Sequence, residues 1–187
     1  KMIKFYNLKK IDKKIKIKII KNIQKVLKKG NYILGNQVNE FEKKFSRFVG
    51  TNYAVGCGNG TDAITLALNS LNLRKGSEVI IPAMTYCSTA FAVINSGLKP
   101  VLVDLSNNSS LIDINKIKKK INNKTKVIIP VHLYGSVVNI DEIKKITRLY
   151  KNKIYIIDDC AQAHGAYLEK TKTNKKVGSL SDISCFS

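Results

Sequence analysis

The chain has 187 residues, 44% of them hydrophobic, and a formal net charge of +20 from 33 Lys and Arg against 13 Asp and Glu. That length and composition suit a globular domain with a core and exclude a disordered chain; no apolar run approaches the ~20 residues that a membrane-spanning helix requires. The lysines are spread among isoleucine and asparagine instead of forming one basic arm, so the charge reads as a solvated surface, not a nucleic-acid site, with a field that favours anionic ligands.

From Lys9 to Lys29, residues Ile11, Ile15, Ile19, Ile23, Val26 and Leu27 recur at helical spacing between lysines. This predicts an amphipathic helix whose apolar stripe packs on the core. Ile15 to Ile19 also alternates as a strand would. Trp and Phe are absent from the stretch, which argues against a membrane-surface helix. Next, Val38, Phe41, Phe45 and Phe48 share one helical face, and Gly50 ends that helix. Strands are then expected near Ala54–Gly56, Glu78–Ile81, Pro100–Val103, Lys126–Pro130 and Ile154–Ile157, with another starting near Ile183. Helices are expected near Thr61–Leu73, Ser88–Ser96, Asn115–Ile121 and Asp141–Tyr150. Such alternation predicts an α/β fold, a mainly parallel sheet flanked by helices on both faces. The polar stretch Glu169–Lys176 reads as an exposed loop or hairpin turn.

Three segments carry the chemistry. In Val55-Gly56-Cys57-Gly58-Asn59-Gly60-Thr61-Asp62 a short apolar run breaks into glycines and restarts as a helix, a turn that presents backbone N–H groups to a phosphate. Its glycine spacing does not fit the G-x-G-x-x-G dinucleotide pattern, and an ordinary connection has the same look. In Ile80-Ile81-Pro82-Ala83-Met84-Thr85-Tyr86 a strand ends at a proline and Tyr86 offers a flat face to a planar ring; a buried core tyrosine is the plainer reading. In Ile156-Ile157-Asp158-Asp159-Cys160-Ala161-Gln162-Ala163-His164 an apolar run feeds two carboxylates, an amide and an imidazole at a strand's C-terminal end, where open α/β sheets bind ligands. A solvated, helix-capping turn is the plainer reading of that pair. Cys57, Cys87, Cys160 and Cys185 form no C-x-x-C motif and are expected as reduced thiols of a cytoplasmic protein; His132 and His164 lack the neighbours of a zinc site.

Taken in order, these segments resemble the N-terminal half of the sugar aminotransferases of the DegT/DnrJ/EryC1/StrS family. The likeness runs from Gly30-Asn31-Tyr32-Ile33-Leu34-Gly35 and Phe41-Glu42 through Gly58 to Ala63 and Pro82 to Tyr86. It continues through Ile129-Pro130-Val131-His132-Leu133-Tyr134-Gly135, Asp159 to Ala166, Val177-Gly178-Ser179 and Cys185-Phe186-Ser187.

The resemblance implies pyridoxal 5'-phosphate (PLP) as cofactor. It matches Asp159 to the aspartate on the pyridine nitrogen, Gln162 to the residue beside the phenolic oxygen and Tyr86 to the aromatic stacked on the ring. Gly60, Thr61 and Asp62 match the helix start on the phosphate, and Ser187 a hydroxyl on the same phosphate. The lysine that forms the family's Schiff base lies a few residues beyond the serine matched by Ser187, so residues 1–187 read as the N-terminal part of the PLP-binding large domain of a fold-type I enzyme, truncated before its last strands and small C-terminal domain. No catalytic residue is assigned within the chain. The implied activity moves an amino group, from a donor such as glutamate, to a keto carbon of a nucleotide-linked sugar in surface polysaccharide or glycoside biosynthesis. A cytoplasmic homodimer is implied, with neither nucleic acid nor membrane as partner. The alternatives are a PLP-dependent nucleotide-sugar dehydratase of the same family, in which a histidine replaces that lysine, and a non-catalytic PLP-binding fragment.

Overall fold

The computed structural model describes residues 12–168 and 175–187. Two compact units divide the chain, Lys1–Glu42 and Lys43–Ser187. The first holds helix α1 (Lys13–Lys29), which begins where the Asp12 side chain accepts the Lys14 N–H and ends at Gly30 in a left-handed conformation, φ 67°. None of the residues of α1 is buried: Ile15, Ile19, Ile23 and Leu27 are 46–59% exposed. Among the described residues of this unit the stripe therefore has no core of its own to pack on. Ile11 and the residues before it lie outside the described chain. Helix α2 (Asn36–Val49) spans the boundary between the units.

In the second unit the alternation of strand and helix is as expected. The helices are α3 (Gly60–Ser70), α4 (Cys87–Asn95), α5 (Ile114–Lys120) and α6 (Ile140–Thr147). The strands are β1 (Glu78–Pro82), β2 (Lys99–Val103), β3 (Thr125–Ile128), β4 (Tyr155–Asp159) and β5 (Ile183–Cys185). They form one sheet in the order β2-β1-β3-β4-β5 with every pairing parallel. All five strands therefore end at the same edge, and the chain reverses direction across the sheet between β1 and β3. That point and that edge are where open parallel sheets take ligands.

Alternation of side chains along each strand divides the core into two layers. Val79, Ile81, Val127, Ile129 and Ile157 pack with Ile64 and Leu68 of α3 and Val93 of α4. Ile80, Ile128 and Ile156 pack on the other face with Ile117 of α5 and Ile143 of α6. Burial of both faces explains why the strands read as continuous apolar runs.

The strand expected at 54–56 does not form. That segment is assigned no strand, and Tyr53 and Val55 are 86% and 84% exposed. An apolar triplet is too short a signal to specify the ladder partner that a strand needs. In the Glu169–Lys176 stretch, residues 169–174 lie outside the described chain. An antiparallel bridge between Tyr167 and Lys176 closes its base, as a hairpin requires.

Candidate cofactor site

One cavity of about 430 Å³ opens at the carboxyl edge of the sheet, within the size range of small-molecule sites. It is lined by Gly60, Thr61, Tyr86, Asp159, Gln162 and Ser187, six of the seven residues singled out from sequence. The seventh, Asp62, turns away into the cap of α3. Its N–H donates to Asn59 Oδ1 at 2.9 Å, and its Oδ2 accepts from Asn59 Nδ2 at 2.8 Å. Asp62 therefore shapes the helix start and does not line the cavity.

At that start Asn59 is the N-cap, and its side chain serves the third amide of the helix. The first two amides, of Gly60 and Thr61, have no intrahelical acceptor, as at every helix N-terminus, and an anion suits them. Gly60 is glycine for a visible reason: a Cβ there would lie 2.8 Å from the Ser187 Cβ and 3.1 Å from its Oγ. The absent side chain lets the Ser187 hydroxyl sit beside the helix start.

Tyr86 caps α4 without a side-chain hydrogen bond and is 70% exposed. The core-tyrosine reading is therefore overturned, and the ring is free to cover a ligand.

Asp158 and Asp159 are both buried, so they do not form a solvated turn. The two-residue period of β4 sends them to opposite faces: Asp159 follows Ile157 toward α4, and Asp158 follows Ile156. Asp159 is 7% exposed. Its Oδ2 accepts from the Thr89 hydroxyl at 2.9 Å and its Oδ1 from the Ala161 N–H at 3.2 Å. Burial holds its carboxyl above the ordinary value of 3.8; the Ala161 and Thr89 hydrogen bonds and the His132 ring oppose that rise, and Asp158 adds to it. A carboxylate so placed gains from a cation brought into the cavity. Sequence reasoning missed Thr89. Its only signal was the spacing of four from Thr85, which stands just before the N-cap of α4 and whose hydroxyl lies 3.1 Å from that of Thr89.

The Gln162 amide orientation is set by a backbone donor. Tyr134 N–H donates to Gln162 Oε1 at 2.8 Å, which leaves the NH2 end as the donor offered to a ligand. Tyr134 itself stands in a left-handed conformation, φ 56° and ψ 24°, at a cost of about 1 kcal/mol or more for a non-glycine residue.

All four cysteines are free. Cys185 lines the cavity, but burial and then the Asp159 charge push its thiol up to about 12, so it is no nucleophile at neutral pH. His132, Asp158 and Cys160 bring potential metal-ligating atoms within 4.8 Å of one another in a buried group. They do not fit a metal. His132 Nδ1 accepts the Val138 N–H at 3.1 Å, so the ring's proton occupies Nε2, which faces Asp158, and burial keeps the Cys160 thiol protonated. His164 is exposed and packs on Phe186 and Phe45, with ring centroids 5.2 and 6.2 Å away. Among the described residues, no helix is long and apolar enough to cross a membrane.

Comparison with known proteins bears on the whole chain. The chain is 41% identical over 186 residues to a dTDP-3-amino-3,6-dideoxy-alpha-D-galactopyranose transaminase of Aneurinibacillus thermoaerophilus, covering 100% of the chain and 50% of that protein. It is 40% identical over 186 residues to a UDP-2-acetamido-2-deoxy-3-oxo-D-glucuronate aminotransferase of Pseudomonas aeruginosa, with the same coverage of 100% and 50%. The chain thus spans about half the length of the curated relatives it matches. Among solved structures, S. venezuelae DesV superposes with a TM-score of 0.87 at 33% identity, covering 93% of this chain and 45% of that one. The GDP-4-keto-6-deoxymannose-3-dehydratase ColD superposes with a TM-score of 0.79 at 31% identity, covering 90% and 44%. Residues 13–187 match the DegT/DnrJ/EryC1/StrS aminotransferase family, and the chain belongs to it.

Proposed function

We propose that residues 1–187 are the N-terminal part of the PLP-binding large domain of an enzyme that moves an amino group, with glutamate as donor, to a keto carbon of a nucleotide-linked sugar. The observation that carries this reading is the buried Asp159 carboxylate on the same cavity as an uncovered helix start and the Ser187 hydroxyl. When bound, PLP supplies an electron sink for a substrate carbon that loses its proton. Asp159 would hold the proton on the ring nitrogen, since a cation adds to what the Thr89 and Ala161 hydrogen bonds give its buried charge. Gln162 donates its NH2 to the phenolic oxygen. Tyr86 covers the ring, and the Gly60 and Thr61 amides with the Ser187 hydroxyl bind the phosphate. Two relatives named for nitrogen or oxygen at sugar carbon 3 support that carbon as the acceptor. A homodimer, in which this cavity lies near a two-fold interface, and a site of action in the cytoplasm complete the reading.

A second reading is favoured by the likeness to ColD: a nucleotide-sugar dehydratase that uses the same PLP site. Incubation of the full-length protein with PLP is expected to give a visible absorbance band that borohydride removes. Glutamate and a 3-keto sugar nucleotide should then yield an amino sugar. A protein that stays colourless and takes up no label from borotritide sinks the PLP reading, whereas loss of a sugar hydroxyl without amination selects the dehydratase.

A further inference from the structure

His132 has no part in the roles assigned above, yet it is buried, 1% exposed, against the residues that have them. Its backbone N–H donates to the Asp159 carbonyl at 3.0 Å, and the Asp159 N–H donates to the Pro130 carbonyl at 2.9 Å. The segment after β3 therefore grips the peptide of Asp159 through both of its polar groups. The imidazole acts at the other end of the same segment. Nδ1 accepts the Val138 N–H at 3.1 Å, and Nε2 faces Asp158 Oδ2 at 3.5 Å. One residue thus closes the 132–138 loop, by its backbone at the start and by its ring at the finish. Inside that loop stands Tyr134, whose left-handed conformation aims its N–H at Gln162 Oε1. A strained non-glycine turn persists only where its surroundings over-determine it.

We propose that His132 is a positioning residue for the Gln162 amide, an assignment that rests on the PLP reading. By accepting the Val138 N–H, its ring fixes the 132–138 turn and keeps the Tyr134 N–H on Gln162 Oε1, and this turns the Gln162 NH2 toward the phenolic oxygen of the bound ring. Without that clamp the turn relaxes, the amide rotates, and an acceptor faces an acceptor. The neighbours of the ring are consistent with a mechanical role. Asp158, Asp159 and Cys160 of the β4 end surround it, and Lys175 borders the small cavity of about 10 Å³ that His132 and Asp158 line. None of them displaces the Val138 N–H from Nδ1.

The test uses 4-deoxypyridoxine 5'-phosphate, which has the ring, hydroxyl and phosphate of PLP and no aldehyde for a lysine to capture. Its affinity for the full-length protein is measured by fluorescence titration for wild type, His132→Leu, His132→Asn, Gln162→Leu and the double variants. His132→Leu is expected to weaken binding about tenfold, as much as Gln162→Leu does, the scale of one charge-assisted hydrogen bond. The His132→Leu/Gln162→Leu pair should be no weaker than either single variant, because both remove the same contact. His132→Asn, whose Oδ1 takes the place of Nδ1 as acceptor, should retain most of the affinity. Additive losses, which a merely structural role predicts, overturn the proposal, as does wild-type affinity in His132→Leu. Where His132→Leu does not fold, Val138→Pro removes the N–H that Nδ1 accepts and takes its place: a loss of about tenfold that does not add to that of Gln162→Leu supports the clamp, and wild-type affinity or additive losses overturn it. Failure of the wild-type protein to bind the probe brings down the PLP reading and this proposal together, whereas binding with additive losses brings down the proposal alone.

Discussion

Asp158 and Asp159 are adjacent in sequence, and the parity of β4 gives them different surroundings. Asp159 shares a face with Ile157 and reaches Thr89, while Asp158 shares a face with Ile156 and meets His132. Because burial raises the folded carboxyl of Asp159 above its ordinary 3.8, its contribution to stability is present below that value and is lost as pH rises through the raised one. Asp159→Asn is therefore expected to melt above wild type near pH 7, with the gap closing toward about pH 3, while its affinity for PLP falls. Thermal unfolding across that range checks the sign, and a variant that melts lower at neutral pH contradicts it. Gly60→Ala tests the phosphate end. The helix-propensity gain of alanine, up to about 1 kcal/mol in a helix interior, is opposed at this first position by the 2.8 Å approach to the Ser187 Cβ, so stability should fall or at most hold. The new Cβ meets Ser187, so affinity for the phosphorylated cofactor should fall about tenfold, measured by equilibrium titration. At this scale the sequence singled out six residues that line one cavity. Thr89 and the His132 clamp were not legible in it, because their partners lie 70 and 6 residues away across turns that no local pattern encodes.

Helix starts in this chain are set by short polar side chains whose roles are local. Asn59, Asp113 and Asn139 each cap a helix through a carboxylate or amide oxygen, and all are followed at once by helical sequence. Asn139→Ala should lower the stability of the second unit by about 1 kcal/mol, read by urea unfolding, since it removes the bonds to the Glu142 N–H and carboxylate. Strand placement was equally legible, because the centres of β1, β3 and β4 are buried on both faces and so appear as short apolar runs, at 79–81, 127–128 and 156–157. Two elements were misread for one reason. The 54–56 triplet and the α1 stripe have the right residues for a strand and a core-facing helix, but whether an apolar surface is covered depends on what lies beside it. With its isoleucines exposed, α1 should tolerate Ile23→Ser in the 187-residue chain within about 0.5 kcal/mol of wild type, measured by thermal unfolding.

A net charge of +20 acts on the whole molecule through self-repulsion and through its long-range field. Raising ionic strength from about 0.01 M to 0.15 M shortens the screening length from roughly 30 Å to 8 Å. Melting temperature should therefore rise with salt while the association rate of an anionic ligand falls, a pair of opposite trends that differential scanning and stopped-flow titration can separate. If both quantities were insensitive to salt, the charge would be too dispersed to matter. The amino-acid sequence by itself determined the alternation of strands and helices, the parallel sheet and the family, because each of these rests on local periodicity or on short contiguous motifs. Only the tertiary structure decided that Asp62 serves the cap and leaves the cavity to its neighbours, that Thr89 and Ala161 hold Asp159, and that Tyr86 stays exposed. Those outcomes depend on which strands lie side by side and which ends meet at one edge of the sheet, a non-local arrangement that no window of the sequence contains.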